Sequence, residues 1–190
     1  MNTKSIMIVG VGGQGSLLAS KLMGHVILSQ GVDVKVSEVH GMSQRGGSVV
    51  TYVKYGDSVS SPVIEKGEAD LIIAFEQLEA ARWIPYLKND GKLIVSTQKT
   101  DPMPVITGAA VYPEGIVDKI KTLGIDIIAV NALEKAEALG NPKASNVVIM
   151  GVVSKLLDFD IKFWNESIAE CVPPKFLELN KKAFEAGRNI

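Results

Sequence analysis

What this chain lacks narrows its chemistry first. One cysteine, Cys171, stands among 190 residues, which excludes an internal disulfide, a CxxC redox pair and an iron–sulfur cluster held within the chain. Histidine is nearly as scarce: there are His25 and His40 and no others. His25 falls inside an expected helix and reads as a residue of that helix's surface rather than a ligand. Charge of one sign is missing too, with 20 Lys and Arg against 21 Asp and Glu. Neither half of the chain carries the basic surplus that phosphate-backbone binding needs, so nucleic acid is excluded as a partner. Long hydrophobic runs do not occur either. Ile6–Val11 runs straight into glycines, so it is neither a signal peptide nor a membrane span. A lone thiol without a secretory start points to a reducing, cytoplasmic setting. No repeat, low-complexity stretch or linker interrupts the chain, and residues 1–190 read as a single domain able to bury one core.

What is present alternates. Apolar stretches of strand length are followed by helix-length amphipathic ones, which predicts an α/β fold. The expected form is a single Rossmann-like domain with a mainly parallel sheet, helices on both faces and one antiparallel excursion. Ser5–Val9 reads as a central strand, residues 14–29 as a helix, and Asp33–Glu38 as a second strand. Gly47–Tyr55, ending at the Gly56-Asp57 turn, supplies the antiparallel excursion. Leu71–Phe75, a helix over 76–87 and Lys92–Ser96 follow. Ala109–Tyr112 reads as a short strand, Pro113 as the start of a helix ending at Gly124, and Ile125–Val130 as a further strand. Asn141-Pro142 opens a helix to Leu157, and residues 174–186 form the last one. The Asn141 helix has no charge between Lys143 and Lys155. Hydrophobic residues make up 46% of this nearly neutral chain, and its mean hydropathy is +0.20. Ala144–Ser154 is therefore expected to pack partly across a subunit boundary, so that the isolated chain self-associates or binds a larger partner.

Two glycine-rich loops are the candidate site. Gly10, Gly12, Gly13, Gln14 and Gly15 join the first strand to the first helix in a GxGxxG pattern. Such a turn lets an anion approach backbone N–H groups at a helix start. A tight strand-to-helix turn alone is the plainer alternative for the same glycines. Glu38 stands near the position, about 20 residues on, where a dinucleotide-binding fold holds the ribose hydroxyls. An NAD-binding dehydrogenase or reductase is thus one reading, although no acid/base pair for hydride transfer follows. The second loop carries His40, Ser43, Gln44, Arg45, Gly46 and Gly47 to the same sheet edge. An arginine among glycine N–H groups suits a phosphate or carboxylate; an ordinary loop with a solvated arginine is the plainer alternative.

Taken together, Gly10–Ser16, Glu38–Ser48, Phe75–Ala80 with Arg82–Leu87, and Asn141–Val147 resemble the gamma-type subunit of the 2-oxoacid:ferredoxin oxidoreductases. The second of these segments is similar to the indolepyruvate-type branch of that family. The resemblance covers essentially the whole chain. It implies a complex that oxidatively decarboxylates a 2-oxoacid on thiamine diphosphate, passes electrons through iron–sulfur clusters to ferredoxin, and delivers the acyl group to coenzyme A. This chain lacks the cysteines for clusters and a GDG…NN pattern for the Mg²⁺ of thiamine diphosphate. The resemblance therefore implies an accessory subunit, without catalytic or metal-binding residues of its own, whose partners hold those cofactors. Its glycine loops would contact coenzyme A or cover the thiamine site. A scaffold with purely structural loops is a third reading.

Overall fold

The computed structural model describes residues 2–41 and 46–190. Its strands are β1 (Lys4–Val11), β2 (Asp33–His40), β3 (Ser48–Gly56), β4 (Ala69–Ala74), β5 (Leu87–Ser96) and β6 (Asp126–Val130). The helices are α1 (Ser16–Leu28), α2 (Gln77–Trp83), α3 (Met103–Ile106), α4 (Ile116–Lys121), α5 (Ala132–Ala138), α6 (Ser145–Leu156), α7 (Ile161–Cys171) and α8 (Leu177–Arg188). The strands form one sheet in the order β2-β3-β1-β4-β5-β6. β1, β4, β5 and β6 are parallel, as the alternating pattern predicts. The antiparallel excursion is β3, and it is inserted between β1 and β2.

From Ile6 to Val11, β1 carries no polar side chain, because both its faces are covered. Ile6 and Ile8 point to the layer of α1, α5, α6, α7 and α8, while Met7 and Val9 point to the layer of α2 and α4. The expected α/β class with helices on both faces is what forms. No helix among the described residues is long and apolar enough to cross a membrane.

The expectation for the late helix is overturned. Every residue of α6 from Asn146 to Ser154 is buried, and this chain does the burying. The sheet covers one side, α8 lies across the other, and the Trp164 and Phe184 rings stack 5.7 Å apart in the same core. A charge-free perimeter therefore reflects an internal helix, not a subunit boundary.

Four smaller expectations also change. Ala109–Tyr112 is not a strand: it follows Gly108, whose φ is +77°, and Val111 is 90% exposed. The helix expected at Pro113 begins at Ile116, where Gly115 adopts a positive φ as its N-cap. The helix expected over 76–87 stops at Trp83 and tightens into a 3₁₀ turn over Ile84–Tyr86, because Pro85 cannot donate to an α-helical ladder. His25 is half-buried on α1 rather than at its surface, with Nδ1 enclosed.

Candidate functional site

The first glycine loop is built by close contacts that only glycine allows. A Cβ on Gly10 would lie 2.8 Å from Gln14 Oε1, and one on Gly15 would lie 2.2 Å from Asn146 Nδ2. Gly13 and Gly15 have φ of +104° and +85°, conformations that L side chains rarely adopt. Gln14 acts as a staple. Its Oε1 accepts from the Val11 amide at 2.9 Å and its Nε2 donates to the Phe75 carbonyl at 3.2 Å. Asn146 Nδ2 donates to the Gly15 carbonyl at 3.2 Å, tying the loop to α6.

The second loop is joined to the first through backbone. Gly12 N–H donates to the Gly47 carbonyl at 2.8 Å, and Gly46 N–H donates to the Gly12 carbonyl at 3.2 Å. Ser43, Gln44 and Arg45 lie outside the described residues.

Beside these loops is a cleft of about 420 Å³, lined by Gly12, Gly13, Ser16, Leu17, Glu38 and His40 among others. Its two walls differ in chemistry. On one side, α1 starts at a glycine N-cap that offers no side chain, so the amides of its first turn are open to an external acceptor. On the other side, Glu38 Oε2 accepts from Ser16 Oγ at 3.4 Å and from the buried Thr51 Oγ1 at 3.2 Å. The cleft thus suits a ligand with an anionic group toward the helix and a hydroxyl or N–H donor toward Glu38.

Of the residues singled out in the sequence, Gly12, Gly13, Gly15, Glu38 and His40 come together at this cleft. Gly10 and Gln14 support it from beneath, while Gly46 and Gly47 reach it through backbone bonds to Gly12.

Sequence reasoning missed two buried carboxylates on the opposite face. Glu79 is 3% exposed and accepts from Ser48 Oγ, from Trp83 Nε1 at 3.2 Å and from Arg82 Nε at 3.0 Å. Glu76 is 1% exposed and accepts from the Glu79 amide at 2.9 Å, the Thr100 amide at 3.2 Å and the Tyr112 hydroxyl. Burial and the adjacent Glu76 both push the Tyr112 phenol upward from its ordinary value. These groups anchor the start of β3 and both roots of the loop after β5. Two glutamates directly after an apolar strand were the available signal.

The model of the family described as pyruvate ferredoxin/flavodoxin oxidoreductase matches residues 5–190. The indolepyruvate oxidoreductase subunit IorB of Thermococcus kodakarensis is 40% identical over 196 residues, covering 98% of this chain and 95% of that relative. Among solved structures, the gamma subunit of a keto/oxoacid ferredoxin oxidoreductase from Geobacter sulfurreducens has a TM-score of 0.73 at 24% identity, covering 98% of this chain and 96% of its own. A 2-oxoglutarate:ferredoxin oxidoreductase from Magnetococcus marinus, with 2-oxoglutarate, coenzyme A and succinyl-CoA bound, has a TM-score of 0.75 at 16% identity. There the match covers 100% of this chain and 31% of the longer one.

Proposed function

Since the chain belongs to the pyruvate ferredoxin/flavodoxin oxidoreductase family, we propose that it is the small, gamma-type subunit of a 2-oxoacid:ferredoxin oxidoreductase acting on indolepyruvate or another aryl 2-oxoacid. One observation carries the reading: 40% identity, along 98% of the chain, to a subunit of an indolepyruvate oxidoreductase. Residues 1–190 would act as one domain of that enzyme. With a single cysteine, this chain leaves the iron–sulfur clusters to its partners, and thiamine diphosphate with Mg²⁺ would be held there too.

The glycine cleft is the part this subunit would contribute. Its open helix amides fit a phosphate of coenzyme A, and Glu38 fits a hydroxyl or amide N–H of the same ligand. Coenzyme A, when bound, supplies the thiol that accepts the acyl group. The role of Gly12, Gly13, Gly15 and Ser16 is to hold and orient it, and Gln14 keeps that loop in shape. Gly10, His40, Ser43, Gln44, Arg45, Gly46 and Gly47 complete the proposed contact region.

A free-standing NAD-binding dehydrogenase has less support. In dinucleotide-binding folds the acidic residue ends the strand beside β1, whereas here β3 stands between β1 and β2.

The test is reconstitution. A tagged chain isolated from native cells should bring with it a larger chain containing thiamine diphosphate and iron–sulfur clusters. That complex should reduce a viologen dye with indolepyruvate and coenzyme A, while the chain alone should not. Turnover without a partner, or tight NAD binding abolished by Glu38→Ala, would overturn the proposal.

A further inference from the structure

A second cavity, of about 450 Å³, lies at the sheet edge opposite the glycine loops. It is formed where β1, β4 and β5 begin and β3 ends, and the connection from α6 to α7 closes it. This volume falls among small-molecule sites, roughly 300–1,000 Å³. Its floor is apolar: Ile6 and Leu71 lie beside the rings of Tyr55 and Phe159, whose centroids are 5.9 Å apart.

Tyr55 is the unusual member. It is 3% exposed and lines this cavity, yet its hydroxyl has no hydrogen-bond partner among the described residues. Burial, with the charge of Asp70 adding to it, pushes its phenol up to about 12, so the hydroxyl is neutral across the physiological range. A hydroxyl on so buried a residue normally has a partner, and this one is not among the polar atoms sealed from solvent. Here the partner's place is in the cavity.

The rim tells which partner. Lys4 shares Asp70 with Lys88, and Lys92 pairs with Asp126, so three ammonium groups face two carboxylates. Asp90 and Asp158 also line the cavity, are exposed, and have no ion pair among the described residues. Together these groups leave one negative charge in excess.

We propose that this cavity binds a small organic ammonium ion. Its apolar, preferably aromatic, body lies along Tyr55 and Phe159. Its N–H groups meet the Tyr55 hydroxyl and the carboxylates of Asp90 and Asp158. The site is separate from the glycine cleft and does not depend on the function proposed above.

The probe is 2-phenylethylamine, with 3-phenylpropionate as a ligand of similar body and opposite charge, titrated calorimetrically into the full chain at low salt. The amine should bind and the carboxylate should not. Tyr55→Phe keeps the ring and removes the hydroxyl, and should weaken binding about fivefold. Asp90→Asn combined with Asp158→Asn should weaken it up to about tenfold and flatten its salt dependence. Thermal melts establish that each variant is folded before it is titrated. Equal binding of amine and carboxylate, no amine binding to the folded chain, or unchanged affinity in the folded variants would each overturn the proposal.

Discussion

Gly151 and Gly187 let α6 and α8 cross backbone against backbone. A Cβ on Gly187 would lie 1.9 Å from the Val148 carbonyl oxygen, and one on Gly151 would lie 2.1 Å from that of Phe184. Nothing at either position can yield by rotating a side chain, because the obstructing atoms are main chain. Gly151→Ala and Gly187→Ala should each destabilise the fold by about 1–3 kcal/mol or more, measured by denaturant unfolding. The same packing means that a charge at Val148 should unfold the chain rather than merely loosen an association. Native-like stability in either alanine variant would contradict this crossing.

Gln14 gives a second expectation. Gln14→Leu keeps the bulk but leaves the Val11 amide and Phe75 carbonyl without their partners. The expected cost is about 1–3 kcal/mol, with faster hydrogen exchange at the Val11 amide. Unchanged exchange there would mean that the staple is not what holds the loop.

Leu17 allows the cleft to be tested without harming the fold. It is 53% exposed in the first turn of α1 and lines the cleft. A carboxylate there favours the helix by about 0.3–1 kcal/mol, so Leu17→Glu should be no less stable than the parent. It should nevertheless raise the KM for coenzyme A in the reconstituted complex several-fold, and Leu17→Lys should not. If KM is the same in both variants, coenzyme A is held elsewhere.

Asp70 sets an acid limit. Burial alone would raise its pKa, but hydrogen bonds from Lys88 and the Ser5 amide, with the charges of Lys88 and Lys4, hold it below the ordinary 3.8. The folded state therefore favours the carboxylate. That stabilisation is complete above the ordinary value and is lost as pH falls through the lower folded one. Solvent screening at this partly exposed site keeps the effect to about 0.5–1 kcal/mol. Asp70→Asn should be destabilised by that amount at neutral pH, and the difference should shrink in melts taken at successively lower pH below the ordinary carboxylate value. A gap that persists in acid would assign the loss to packing instead.

Much of the fold was legible because β1 and α1 meet at a glycine turn, and because Leu71–Phe75 and Lys92–Ser96 are apolar on both faces. Three helices went unread: the short α3, where a proline-containing loop was expected, and two whose signals were local. Asn131 caps α5 with Glu134 three residues on, and Asp160 caps α7, whose Ile161, Trp164 and Ile168 recur at helical spacing. The error over α6 was of another kind. Its cover comes from α8, whose Ala183 and Gly187 allow close approach, and nothing in the sequence of α6 itself reports that. At the site, spacing placed Glu38 near the glycine loop, but it did not show that β3 would stand between their strands. Glu76 and Glu79 were quoted only as part of a motif, since their burial depends on Ser48, Thr100 and Tyr112, far away in the chain.

The insertion of β3 also fixes an order of assembly during synthesis. β1 leaves the ribosome before the other strands of this sheet, yet β2, the next of them to emerge, never becomes its neighbour. β2 and β3 can close on each other as a hairpin, and only then does β3 offer its free edge to β1. The other edge of β1 waits for β4, which is complete at Ala74. Until that residue clears the exit tunnel, the apolar run Ile6–Val11 is exposed along one side. For a translating cell, the vulnerable interval therefore runs from Val11 to Ala74, and it outlasts the synthesis of every residue that lines the cleft.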